Sequence, residues 1–133
     1  MMTSVARKSS VIAGVIANSI IFALLHLVNP GIGILPLVNL TLFGVFASVY
    51  MLKTDNIWGV SAIHSIWNFV QGSLYGLSVS GMESMPTIFQ FTSTDNTLLN
   101  GGAFGPEGGL IVSAVLTISI IITLIVGKKK DTE

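Results

Sequence analysis

The chain has only two histidines, His26 and His64, and each stands in a strongly apolar stretch. Each also has a partner at helical spacing. Phe22 precedes His26 by four residues, and Asn68 follows His64 by four. Residues four apart share a helix face. His64 and Asn68 therefore point the same way, with Ser61, Gln71 and Tyr75 near that stripe, while Asn18, Phe22 and His26 make a second line. Lipid cannot satisfy such groups, so the two stripes are expected to face each other. Two readings stand. Buried His, Asn and Ser serve as interhelical hydrogen-bond glue, at about 0.6–2 kcal/mol each. The same residues also suit a metal or water site, because neutral imidazole ligates zinc and a positioned imidazole acts as a general base or oxyanion donor.

The acids are Asp55, Glu83, Asp95, Glu107, Asp131 and Glu133, and none falls in an apolar stretch. Glu83, Asp95 and Glu107 are expected in an outer loop, able to reach the histidines only from above. The residues thus supply half of a hydrolytic constellation.

The elements that must position these side chains follow from where charge is missing. Hydrophobic residues make up 51% of the chain, charged residues 9%, and mean hydropathy is +0.82. Six basic and six acidic residues balance. That balance excludes a basic nucleic-acid binder, and the composition excludes disorder. Zero cysteines exclude a disulfide framework and Cys-ligated zinc. No charge lies between Lys8 and Lys53, between Asp55 and Glu83, or between Glu107 and Lys128. A bilayer crossing needs about 20 apolar helical residues. The first interval holds two crossings, broken at Asn29-Pro30-Gly31-Ile32-Gly33.

An all-α membrane bundle of about four transmembrane helices is expected, at Val11–Val28, Ile34–Leu52, Ile57–Leu77 and Leu110–Val126. The whole chain forms one membrane-embedded domain, packed through Gly14, Ala17, Gly44, Ala47, Gly72 and Gly76. The long first run and the lack of a cleavage site argue against a signal peptide. Arg7, Lys8, Lys53 and Lys128–Lys130 fall on one side, so a multi-pass cell-membrane protein with both termini cytoplasmic is expected. Ser78–Gly109 then faces outward. Its glycine-rich part, Gly101–Gly109, is either a connector or a cap over a cavity. Nominal depths raise a tension. His26 lies about 22 Å along its helix and His64 about 10 Å along a helix running the same way.

Phe22-x-x-x-His26 followed by His64-x-x-x-Asn68 resembles two motifs of the CPBP family of intramembrane proteases. That family includes the CAAX prenyl endopeptidases and proteins called abortive-infection or bacteriocin-immunity proteins. The 38-residue separation of the histidines, the Leu25–Pro30 context and the Gly101–Leu110 stretch add to the resemblance. It implies hydrolysis of a peptide bond in a membrane-anchored or lipidated substrate. It implies that a motif glutamate and His26 activate water, and that His64 and Asn68 stabilise the oxyanion. Family members are often labelled metalloproteases, which makes His26 and His64 candidate ligands of a divalent metal such as zinc, while a metal-free, glutamate-dependent mechanism is equally compatible with these motifs. The family's Glu-Glu-x-x-x-Arg motif has no counterpart, because no Glu-Glu pair occurs in the sequence. The expectation is a C-terminal portion of a larger family domain, with missing N-terminal helices or a partner copy covering the polar stripes. The alternative is a non-catalytic membrane immunity or regulatory binding protein. A small transporter is disfavoured, since no span carries a carboxylate or Arg.

Overall fold

The structure is a computed structural model, and it describes residues 3, 8–83, 86–91 and 97–126. Arg7, Asp95, Lys128–Lys130 and the acids at 131 and 133 lie outside the described residues. The described chain is helical: α1 (Val11–Leu24), α2 (Ile34–Thr54), α3 (Ile57–Asn68), a π-helical segment (Phe69–Leu74), a single turn α4 (Thr97–Asn100), two 3₁₀ turns (Gly102–Phe104 and Pro106–Gly108) and α5 (Leu110–Val126).

Local chemistry sets the boundaries. The Ser10 side chain accepts from Ala13 N–H and starts α1. The Asn56 carboxamide accepts from Trp58 and Gly59 N–H and starts α3, directly after Asp55 closes α2 in the left-handed region at φ 53°. The α2–α3 connection is therefore two residues long, which forces the helices to run antiparallel. The first expected helix stops earlier than Val28. Beyond Leu24 the chain tightens, and His26 N–H and Leu27 N–H bond the carbonyls three residues back. The third expected helix does not run unbroken to Leu77. It turns π-helical at Phe69, where Tyr75 N–H reaches Val70 O at 3.0 Å. The last helix occupies the expected Leu110–Val126.

Helix α2 is central. Gly44 meets α1 where a Cβ on Gly44 would stand 2.6 Å from Ser19 Cα. Asn18 Nδ2 donates to Ser48 Oγ (3.0 Å) across the same crossing. At the other side of α2, Asn39 bonds the start of α5, and Lys53 Nζ donates to Leu124 O near its end. So α2 and α5 run parallel, and α1 and α3 run opposite to them. This is the up-and-down order that the charge pattern predicts. Lys53 and the end of α5 lie at one end of the bundle.

Large aliphatic side chains such as Ile12, Ile16, Ile118 and Ile122 stay exposed on the outer faces. A surface of that kind is unfavourable in water and natural in lipid. Of the described helices, α2, at 21 residues, is the one long and apolar enough to cross a membrane by length and composition; α1 and α5 are apolar but shorter. A bundle of four full spans is thus coarser in the structure than in the sequence reading: one span-length helix with shorter apolar helices around it. A small core of Ala23, Leu40 and Phe104 closes the end where α1 stops and α2 and α5 begin, with Phe22, Ile32 and Leu37 against it.

The α1–α2 crossing gives the first prediction. Gly44→Ala should lower the stability of the detergent-solubilised protein by about 1–3 kcal/mol, the usual cost of overpacking. An unfolding midpoint equal to the parent's would show that the helices do not approach this closely.

Candidate functional site

The two histidines come to one place. Phe22 stands between them, its ring centroid 4.8 Å from His26 and 5.9 Å from His64, edge-on to the latter. Phe43 of α2 closes the group, 5.1 Å from His64 and 5.4 Å from Phe22. Both imidazoles line a cavity of about 140 Å³ between α1, α2, α3 and α5, walled by aromatic and aliphatic side chains. The nominal depth difference does not keep them apart. His26 Nδ1 lies 2.8 Å from Phe22 O, one turn back along the chain. The ring is folded toward the α1 N-terminus, which recovers much of the apparent gap.

The hydrogen bonds assign the ring protons. A carbonyl only accepts, so His26 Nδ1–H donates to Phe22 O, leaving the Nε2 lone pair open. Asn68 Nδ2–H donates to His64 Nε2 at 3.1 Å, so neutral His64 carries its proton on Nδ1. One ring offers an acceptor and the other a donor. Asn68 Oδ1 is buried and accepts no hydrogen bond from the protein.

The predicted stripes are only partly kept. Asn18 is committed to Ser48 and acts as glue. Ser61 is exposed, and Tyr75 packs on Phe91 with centroids 5.3 Å apart. Gln71 is buried in the π-helical segment and does not line the cavity. Its Nε2 donates to Ser78 O.

The glycine-rich stretch is a cap, the second of its two sequence readings. Phe104 plugs the core at 1% exposure. Gly81 N–H donates to Phe104 O (2.9 Å), and a Cβ on Gly81 would sit 1.8 Å from Pro30 O. Its φ of 81° and this approach both require glycine. Asn39, 2% exposed, fastens the cap to α2 by donating from Nδ2 to Glu107 O (2.7 Å) and Gly109 O (2.9 Å). Ser113 Oγ–H donates to Asn39 Oδ1 (2.6 Å) and ties in α5.

Through this cap Glu107 reaches the cavity wall beside His26 and His64. Its Oε1 accepts from Trp67 Nε1–H (3.0 Å), and its Oε2 accepts from the N–H (2.8 Å) and hydroxyl of Ser80. Spacing alone places Glu107 above the site and singles out neither Trp67, Ser80 nor Asn39. A signal was present: Trp67 lies within His64-x-x-Trp67-Asn68, and Glu107 is the sole acid among the glycines of the cap.

Among the described residues, no three His, Asp or Glu side chains cluster closely enough to hold a metal ion. His64 Nε2 is already engaged by Asn68. A catalytic zinc site uses three protein ligands, so zinc here would need donors beyond His26 and His64.

Residues 1–70 match the family model for Type II CAAX prenyl endopeptidase Rce1-like proteins. The match contains α1, α2 and α3 with both histidines and Asn68; Glu107 and α5 lie beyond it. No curated protein and no solved structure matches the chain.

The cap generates the second prediction. Asn39→Ala leaves two buried carbonyls and the Ser113 hydroxyl without this partner, at a cost of about 1–3 kcal/mol. The Gly101–Gly109 stretch should become the first site of limited proteolysis. A variant as resistant there as the parent would show that Asn39 does not hold the cap.

Proposed function

Because the chain belongs to the type II CAAX prenyl endopeptidase Rce1-like family, we propose that it hydrolyses a peptide bond of a membrane-anchored or lipidated protein, using His26, His64 and Asn68. One observation carries this reading. An imidazole with an open acceptor nitrogen and an imidazole with an open N–H line the same apolar-walled cavity.

The chemistry uses the chain's own side chains. A water beside His26 gives a proton to Nε2 as its oxygen attacks the scissile carbonyl carbon. His64 Nδ1–H donates to the oxygen that becomes negative, and Asn68 holds that ring by donating to Nε2. Protonated His26 then delivers its proton to the leaving amide nitrogen, and the C–N bond breaks. The apolar walls exclude bulk water, which strengthens the donor's interaction with the developing charge.

Membership in a membrane-embedded family supports a place in the bilayer. The multi-pass reading with cytoplasmic termini is supported by the bundle order and by Lys53 standing at the same end as the α5 C-terminus. A divalent metal remains part of the proposal only with ligands contributed from beyond the described residues. The absence of a Glu-Glu pair from the sequence favours a second reading, a non-catalytic immunity or regulatory binding protein.

The third prediction separates the two. In liposomes carrying a quenched fluorogenic lipidated peptide, the parent should cleave, and His26→Ala or His64→Ala should lose about 10²-fold or more in kcat. Inserted, folded variants that cleave as the parent does would contradict the hydrolase reading. A parent that cleaves nothing, with its biological effect intact in His26→Ala, would establish the binding reading.

A further inference from the structure

We propose that Glu107 is a positioning residue for this site, setting the orientation of His64 and Asn68 through Trp67. The role rests on the hydrolase reading for its catalytic consequence, but not for its geometry.

Every other carboxylate of the described residues lies away from the cavity wall; Glu107 alone lines it. Both of its oxygens are used. Oε1 accepts the Trp67 indole N–H, and Oε2 accepts two donors from Ser80. Trp67 is three residues after His64 and directly before Asn68, so gripping the indole fixes the rotation of the helix face that carries both. The grip matters because α3 has little else to hold it. None of its residues is fully buried, and the π-helical segment that follows breaks regular continuation of the helix. Glu107 is itself well placed. Its backbone carbonyl is held by Asn39, and Ser80 is tied to the α1–α2 turn by Asn29 Nδ2 donating to Ser80 O (3.0 Å). The carboxylate is thus the strut by which the rigid cap and α2 position α3. A carboxylate satisfied by three donors has little capacity left to take a proton from water, so the arrangement suits a strut better than a base.

The two ends of the strut can be cut separately. Trp67→Phe removes the indole N–H together with part of the ring, and keeps the Glu107 charge. Glu107→Gln removes the charge and keeps the size. With only two histidines in the chain, imidazole ¹⁵N signals are assigned by comparison with His26→Gln. Trp67→Phe is expected to move the His64 signals and leave those of His26 in place. In the peptide assay each single variant should lower kcat by roughly tenfold or more at a KM within about twofold of the parent, the signature of a misplaced group. The double variant should lose no more than the worse single, because the two changes break one chain of contacts, from Trp67 through Glu107 to Ser80. An unmoved His64 signal in Trp67→Phe, or losses that multiply in the double variant, would overturn the proposal. The imidazole readout needs no substrate. It decides the positioning role even in a chain that cleaves nothing, where only the hydrolase reading would fall.

Discussion

Lipid offers no hydrogen bonds, so each polar side chain carried into the apolar part of this molecule has to be satisfied by the protein. The arrangement of the site follows from that constraint. Asn18 and Ser48 satisfy each other and bring α1 onto α2. Asn39, one of the most buried side chains, satisfies two carbonyls of the cap and takes the Ser113 hydroxyl in return. The same residue therefore fixes α2, α5 and the glycine-rich stretch at one end of the bundle. Near that end His26 Nε2 and His64 Nδ1 keep open valences beside the cavity, while Asn68 Oδ1 and Gln71 Oε1 are buried without a protein partner.

The distinction between glue and site is a matter of what each group has left over. Asn18 Nδ2 and both polar ends of Asn39 bond the protein, and these bonds hold helices together. His26 and His64 each spend one ring nitrogen and keep the other. The spent nitrogen matters as much as the open one, because it fixes the tautomer and so decides which ring accepts and which donates. Phe22 stands between the two imidazoles, and Phe43 packs against Phe22 and His64, so apolar rings wall both polar groups.

Much of this was legible in the sequence, for physical reasons. The charge-free intervals located the helices, and the two histidines with Phe22 and Asn68 at helical spacing located the site's three principal side chains. The start of the last helix was readable because glycines precede it. Other features were not readable. The π-helical turn after Asn68 has no sequence signature, and Gln71 within it bonds Ser78 O instead of lining the cavity. The extra 3₁₀ turns after Leu24 shortened α1 and let His26 fold back toward Phe22. Glu107 reaches the cavity through a non-local hydrogen bond between a capping loop and α3. Local spacing carries no information on such a contact. Phe104 shows the same limit, since nothing in a glycine-rich stretch distinguishes a connector from a plug until its one aromatic side chain finds a core.

The central claim is that His26 and His64 face one cavity across Phe22. The chain has no cysteine, so a His26→Cys/His64→Cys variant carries no other thiol. Treatment in the membrane with a short bis-methanethiosulfonate, followed by mass analysis of proteolytic fragments, reads their proximity directly. The account predicts an intramolecular bridge joining the two peptides. Both thiols labelled singly, with no bridge formed by reagents of increasing length, would contradict it.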